Sequence, residues 1–218
     1  MKRNSFLFFY SFILLFFSGT VAAQTTSIKE VFKTMPDSLI PYLSQNNKLD
    51  FIDFMESNME AKVTNSLNGT SRMETMNDQF LSLTLNEASK MQMRLLSVSE
   101  PVDSMQQIIC VVRTLGTKGQ ESTISFYSCS WRPLDLSIKG LVSVDDVLVR
   151  PESMSAEHFQ ELKAILLPYM YWAELSDVDD TLTMGISYSD VPADDLEEIK
   201  AIRRLMTLKW DGKIFKKD

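Results

Sequence analysis

The run Ile108-Ile109-Cys110-Val111-Val112-Arg113-Thr114, then Gly116-Thr117-Lys118-Gly119, then Thr123-Ile124-Ser125-Phe126-Tyr127-Ser128, decides the fold class. Two runs rich in β-branched and aromatic residues flank a short loop with two glycines, which is the pattern of an antiparallel hairpin. Moving upstream, Met91 to Leu96 and Phe80 to Leu85 read as further strands. Before them, Val63, Asn65 and Leu67 alternate with Lys62, Thr64 and Ser66, and Asn68-Gly69 follows as a turn pair that tolerates positive φ. Short strands separated by turns at regular intervals predict an antiparallel meander.

The segment Met35 to Ser57, M-P-D-S-L-I-P-Y-L-S-Q-N-N-K-L-D-F-I-D-F-M-E-S, breaks this pattern. Pro36 and Pro41 bracket a turn, and Asn46 or Asn47 caps an expected helix from about Lys48 to Asn58. Its apolar face is expected at Leu49, Ile52, Met55 and Met59, with Asp50, Asp53 and Glu56 solvated. A shorter helix precedes it: Ser27-Ile28-Lys29-Glu30 fits a reciprocal capping box, Ile28, Val31 and Phe32 face inward, and Pro36 ends the run.

Downstream of Trp131-Arg132-Pro133, the stretch from Pro133 to Gly140 is the expected boundary between a subdomain of residues 24–135 and a second of 136–218, with one continuous domain as the alternative. Leu141 to Val149 reads as a strand. Ser155 caps a helix over Ala156 to Leu167 with Phe159, Leu162 and Leu166 as its stripe. Tyr169 to Leu175 and Thr181 to Tyr188 form a strand pair, and a last helix runs from about Pro192 to Met206. Asp211-Gly212 turns a final hairpin. The result is an α+β chain: antiparallel meander sheets packed against two N-terminal helices and two helices in the C-terminal half.

Residues 1–23 read as a signal peptide. Lys2 and Arg3 precede the apolar run Phe6 to Phe17, and Ser18 to Ala23 supplies small residues, placing cleavage between Ala23 and Gln24. The apolar run falls short of the roughly 18–20 residues that span a bilayer. The expected product is exported and soluble, periplasmic or extracellular. The chain carries a formal charge of −7, and losing Lys2 and Arg3 makes it two units more negative. That acidity argues against nucleic acid or anionic membrane as partner, because binding those rests on clustered Lys and Arg.

Little in the chain points to catalysis. His158 is the only histidine, which removes most Ser or Cys dyads and most zinc sites; at the start of a helix it reads as a surface residue. Asp177-Val178-Asp179-Asp180-Thr181-Leu182 resembles the nucleophile loop of haloacid-dehalogenase-type phosphatases. It lies too near the C-terminus for that fold's remaining parts, and a solvated turn is the competing reading. A calcium loop would also need a Gly and a distal Glu that are missing. Cys110 and Cys129 lie near the arms of one hairpin. A disulfide, favoured by export, competes with two free thiols, since register places Cys110 only near Ser128. Tyr169, Tyr171 and Trp172 mark either a buried strand or one wall of an apolar cleft. No cofactor is called for.

With Met35-Pro36-Asp37-Ser38-Leu39, Leu49-Asp50-Phe51-Ile52-Asp53-Phe54, Glu100-Pro101-Val102-Asp103-Ser104 and Val111-Val112-Arg113-Thr114 in view, the chain resembles a domain-of-unknown-function family of exported proteins found in Bacteroidota. The resemblance covers nearly all of the mature chain and implies an exported α+β protein with no assigned activity. It also implies O-glycosylation at Asp followed by Ser or Thr and an aliphatic residue, which makes Ser38, Ser104 and Thr181 candidate sites. The expected role is a non-enzymatic envelope module that binds another envelope protein or an extracellular ligand. A carrier of a lipid or apolar ligand is the first alternative and a hydrolase using Asp177 or Asp179 the second.

Overall fold

The computed structural model describes residues 25–218, as an α+β protein built on two antiparallel sheets. Strands β1 (Lys62–Thr64), β2 (Thr70–Met76), β3 (Phe80–Asn86), β4 (Ser89–Val102), β5 (Met105–Leu115), β6 (Glu121–Ser128) and β7 (Pro133–Leu134) form a seven-stranded meander in sequence order. Four more strands, β8 (Met170–Leu175), β9 (Thr181–Ser187), β10 (Met206–Trp210) and β11 (Phe215–Lys217), form a second sheet in which β8 is an edge. The outer strands β1, β7 and β11 are two or three residues long, which leaves little backbone for another chain to pair with.

Each face of the seven-stranded sheet has its own core. On one face, helices α1 (Ile28–Lys33) and α2 (Gln45–Glu56) bury Ile28, Phe32, Phe51 and Ile52 against Leu81, Leu83, Met91, Met93, Ile109 and Val111. On the other, Phe80, Leu96, Ile108, Cys110, Val112 and Phe126 meet Ala173, Leu175, Leu182, Met184, Leu208, Trp210 and Phe215 of the second sheet. A third cluster joins Ile186 to helices α3 (Val144–Val147), α4 (Ala156–Ile165) and α5 (Leu196–Ile202) through Val147, Phe159, Leu162, Ile199 and Ile202. The middle core draws on both sides of the expected 133–140 boundary, so residues on either side share one apolar interior.

Several local expectations change. Ser44, not Asn46 or Asn47, caps α2, with Asn47 completing a capping box. The helix therefore starts earlier and is rotated: Lys48, Phe51 and Ile52 are buried, whereas Leu49 is 38% and Met59 58% exposed. Burying the phenyl ring of Phe51 outweighs burying Leu49, and Lys48 escapes the cost of burial by donating to the Met35 carbonyl at 2.6 Å and to Asp37 at 3.1 Å. In α1 the Ser27 hydroxyl accepts from Glu30 N, but the Glu30 carboxylate turns to Lys33 instead of closing the box.

Leu141 to Val149 is not a strand. The Asp146 carboxylate accepts from both the N–H and the hydroxyl of Ser143 and opens α3, a local hydrogen-bond pattern that competes with strand pairing. The last helix is also shorter than expected. Arg203 is extended and pairs with Leu148 in an isolated bridge, and Met206 already belongs to β10.

Candidate functional site

The middle face of the large sheet changes character along each strand, and that change creates a cleft. Residues two apart share a face. On β3, Phe80 gives way to Ser82 and Thr84; on β4, Leu96 gives way to Arg94, Gln92 and Lys90; on β5, Val112 gives way to Thr114. The apolar ends lie beneath the second sheet. The polar ends stay uncovered and, with the overhanging edge of β8, enclose a cleft of about 470 Å³ lined by Glu74, Ser82, Thr84, Lys90, Gln92 and Trp172 among others. It continues past Glu174 into a second hollow of about 430 Å³ that reaches Asp177, Thr181 and Thr183.

Side chains from the large sheet hold β8 in place. An edge strand has unpaired N–H groups, and those of Ala173 and Leu175 donate to Ser122 Oγ at 2.9 Å and Gln92 Oε1 at 3.0 Å. Farther along, Arg94 donates to the Ser176 carbonyl at 3.1 Å and Asn77 to the Asp177 carbonyl at 2.8 Å. The crossing of the two sheets is thus hydrogen-bonded as well as apolar, which fixes the width of the cleft.

Trp172 forms its overhanging wall. Across the strand pair it faces Gly185, and a Cβ there would lie 3.0 Å from Nε1 and 3.1 Å from Cε2 of the indole. Glycine lets the ring settle onto β9, next to Leu205, which is 62% exposed. The other two tryptophans donate their indole N–H groups to backbone carbonyls, Trp131 to Val31 and Trp210 to Ser97. Among the described residues the Trp172 N–H has no such acceptor. The same holds for the side chains of Glu74, Ser82, Thr84, Lys90, Gln120 and Glu174, none of which has a protein hydrogen-bond partner among the described residues. The cleft therefore concentrates free donors and acceptors on a rigid strand scaffold.

The residues singled out by sequence are scattered. Trp172 lines this cleft, but Tyr169 and Tyr171 do not: both pack against the helical cluster of the C-terminal half, and Tyr171 also against the core between the two sheets. The expected apolar cleft wall is therefore one tryptophan in a mainly polar setting. Asp180 is bound to Arg94 at 2.8 Å, and Asp179 accepts from the Thr181 hydroxyl at 2.6 Å. Hydrogen bonds from Thr181 and Ser176 hold the Asp179 carboxyl below its usual range. Among the described residues no group of three or more His, Cys, Asp or Glu side chains is arranged to hold a metal ion.

His158 lies at the surface between two carboxylates, with Nε2 against Glu198 and Nδ1 3.2 Å from Glu161. Cys110 and Cys129 are free thiols. Cys110 faces Phe126, not Ser128, and is buried between the sheets, while Cys129 packs on the opposite face near the N-terminal helices and donates to the Gln107 carbonyl at 3.2 Å. Phe126 and Cys129 are three positions apart, an odd separation that sends the two thiols to opposite sides of the sheet and leaves the free-thiol alternative.

Ser38 is exposed in a one-turn 3-10 helix, and Ser104 is exposed at the tip of the β4–β5 hairpin, where Asp103 and Ser104 both adopt positive φ. Thr181 is half-buried and already bonded to Asp179. Ala23 and Gln24 lie outside the described residues. Among the described residues no helix is long and apolar enough to cross a membrane.

Residues 20–215 match the family model described as "Protein of unknown function (DUF3256)". The chain belongs to that family. A solved structure described as a domain of an uncharacterized protein from Porphyromonas gingivalis W83, a member of the Bacteroidota, is similar in fold: TM-score 0.70, 20% identity, covering 89% of this chain and 99% of that one. At that identity the likeness concerns the fold alone. No curated protein matches the chain.

Proposed function

We propose that this member of the DUF3256 family is an exported, non-enzymatic binding module whose ligand occupies the cleft between the large sheet and β8. One observation carries the reading: free polar side chains from β2, β3, β4 and β8 converge on a single concavity of about 470 Å³. That volume falls within the range of roughly 300–1,000 Å³ usual for small-molecule sites. Export rests on the Lys2, Arg3 and Phe6 to Phe17 pattern, with Gln24 as the mature N-terminus and Ser38 and Ser104 as the better-exposed glycosylation candidates. Edman sequencing and intact mass of the secreted protein test both.

Non-enzymatic action is supported by the engagement of Asp179, one of the two candidate carboxylates, with the Thr181 hydroxyl and by the surface position of His158. The carrier alternative draws less support from a cleft lined largely by polar side chains, with Trp172 as the aromatic residue of its first hollow, since an acyl chain gains from apolar walls. A photo-crosslinking residue placed at Thr84 should yield an adduct in the native host, while the same residue at exposed Lys139 should not. Equal yields at both positions would count against the cleft as a binding site.

A further inference from the structure

We infer that the cleft takes a short, uncharged saccharide, stacked on Trp172 and hydrogen-bonded by the hydroxyl and amide side chains of β3 and β4. This rests on the cleft being the binding site, and it names the ligand class from the chemistry of the walls.

A sugar ring has an apolar C–H face and an equatorial belt of hydroxyls that both donate and accept. It is matched by an aromatic platform bordered by groups of mixed donor and acceptor character. Trp172 supplies the platform because Gly185 lets the indole settle against β9. Its unpaired N–H and the free groups of Ser82, Thr84, Gln120 and the Gln92 amide nitrogen supply the belt; Gln92 spends only its oxygen on Leu175 N.

Charge selects against other small ligands. Glu74 and Glu174 line the cleft opposite a single cation, Lys90, and Asp177 closes its far end. A phosphorylated or carboxylated ligand would meet net repulsion. A lipid would leave these polar groups desolvated without partners.

A peptide docking by strand addition needs an open sheet edge. The β8 edge beside the cleft is already capped at Ala173 and Leu175 by Ser122 and Gln92. The two hollows share Ser82, Gln92 and Glu174, so the path is elongated and suits a chain of linked rings better than one compact molecule.

The test uses the mature protein in saturation-transfer NMR with cellotriose, maltotriose, N-acetylchitotriose and a wider array of neutral glycans, alongside sialylated and sulfated glycans and short peptides. We expect a neutral glycan to bind and to quench tryptophan emission. Trp172→Ala should weaken it by about tenfold or more, Trp172→Phe should retain part of the affinity, and Thr84→Val should weaken it with an unchanged melting temperature. If Trp172→Ala does not fold, the Phe and Val variants carry the decision. Absence of any neutral-glycan binding, or binding unaffected by these changes, overturns the inference. Peptide or acidic-glycan binding that depends on Trp172 would also overturn it while leaving the cleft standing as a binding site. Loss of the Thr84 photo-adduct as well would remove both.

Discussion

Arg94 and Asp180 lie 86 residues apart in sequence and meet at 2.8 Å, Nε to Oδ1, in the seam between the two sheets. Arg94 is 3% exposed and also donates to the Ser176 carbonyl. The pair therefore ties the β8–β9 turn to the middle of β4 and accounts for the presence of Asp180 in that turn.

Removing Asp180 strands a buried guanidinium. Losing one partner of a fully buried pair costs about 3–5 kcal/mol, and because the Asp180 side chain is 34% exposed, we expect Asp180→Ala to cost about 2 kcal/mol after discounting for solvent screening. Urea denaturation measures this. The Arg94→Met/Asp180→Ala double variant should be less destabilised than the two single losses summed.

Lys48 is 1% exposed, with its ammonium on the Met35 carbonyl and Asp37. Lys48→Met keeps the aliphatic stem but leaves that carbonyl unpaired, for an expected loss of about 1–2 kcal/mol. Lys48→Ala also opens a cavity and should cost more. A smaller effect for Ala than for Met in chemical denaturation would contradict this account.

His158 introduces a pH dependence of definite sign. Its hydrogen bond to Glu198, with a second to Glu161, raises its pKa above the usual value. The protonated form is thus favoured by folding. Its contribution is complete below the unfolded pKa of about 6.5 and is lost as pH rises through the higher folded value. Asp146 behaves oppositely: Lys217 and Ser143 push its carboxyl down to about 2, so its contribution is present above the unfolded carboxylate range and is lost as pH falls towards that value. Thermal melts of the wild type and of His158→Gln across acid to neutral pH should converge on the alkaline side.

Gly185→Ala places a methyl group 3.0–3.1 Å from the Trp172 indole and Leu205. The indole must lift from β9, and Trp172 emission should move to longer wavelength. Trp131 and Trp210, each 7% exposed, should contribute little to the change. An unaltered spectrum would show that the ring does not rest on this glycine.

Both cysteines should titrate as thiols after unfolding without reductant. In the native state Cys110 should resist alkylation, because burial between the sheets drives its thiol pKa upward. Its half-buried counterpart Cys129 should react faster. A mass two hydrogen atoms lighter than the dithiol chain would indicate an oxidised bridge and an altered register.

Strands were legible wherever alternation met turn chemistry. β3, β5, β6, β8 and β9 lie within a few residues of their expected bounds, and Ser155 with Phe159, Leu162 and Leu166 behaves as its spacing suggests. α2 was misread in rotation because hydrophobicity alone cannot anticipate a lysine that reaches a buried carbonyl. Leu141 to Val149 was misread because its apolar residues suit a strand as well as a short capped helix. The cleft carried a faint signal, the passage from Phe80 to Ser82 and Thr84 and from Leu96 to Gln92 and Lys90. It has meaning only once strand register aligns those positions.

The amino-acid sequence by itself determined many local elements: hairpins, the Ser27 and Ser155 caps, the alternating faces of the meander and the acidic balance. These follow from interactions between near neighbours, where backbone preference and side-chain spacing suffice. Only the tertiary structure decided which half of a strand face is covered, and it did so by laying β8 across the large sheet. That placement depends on contacts such as Ser122 with Ala173 and Arg94 with Asp180. Residues so distant along the chain are brought together by burial of the shared core, and the cleft that holds Trp172 is the space left where that burial stops.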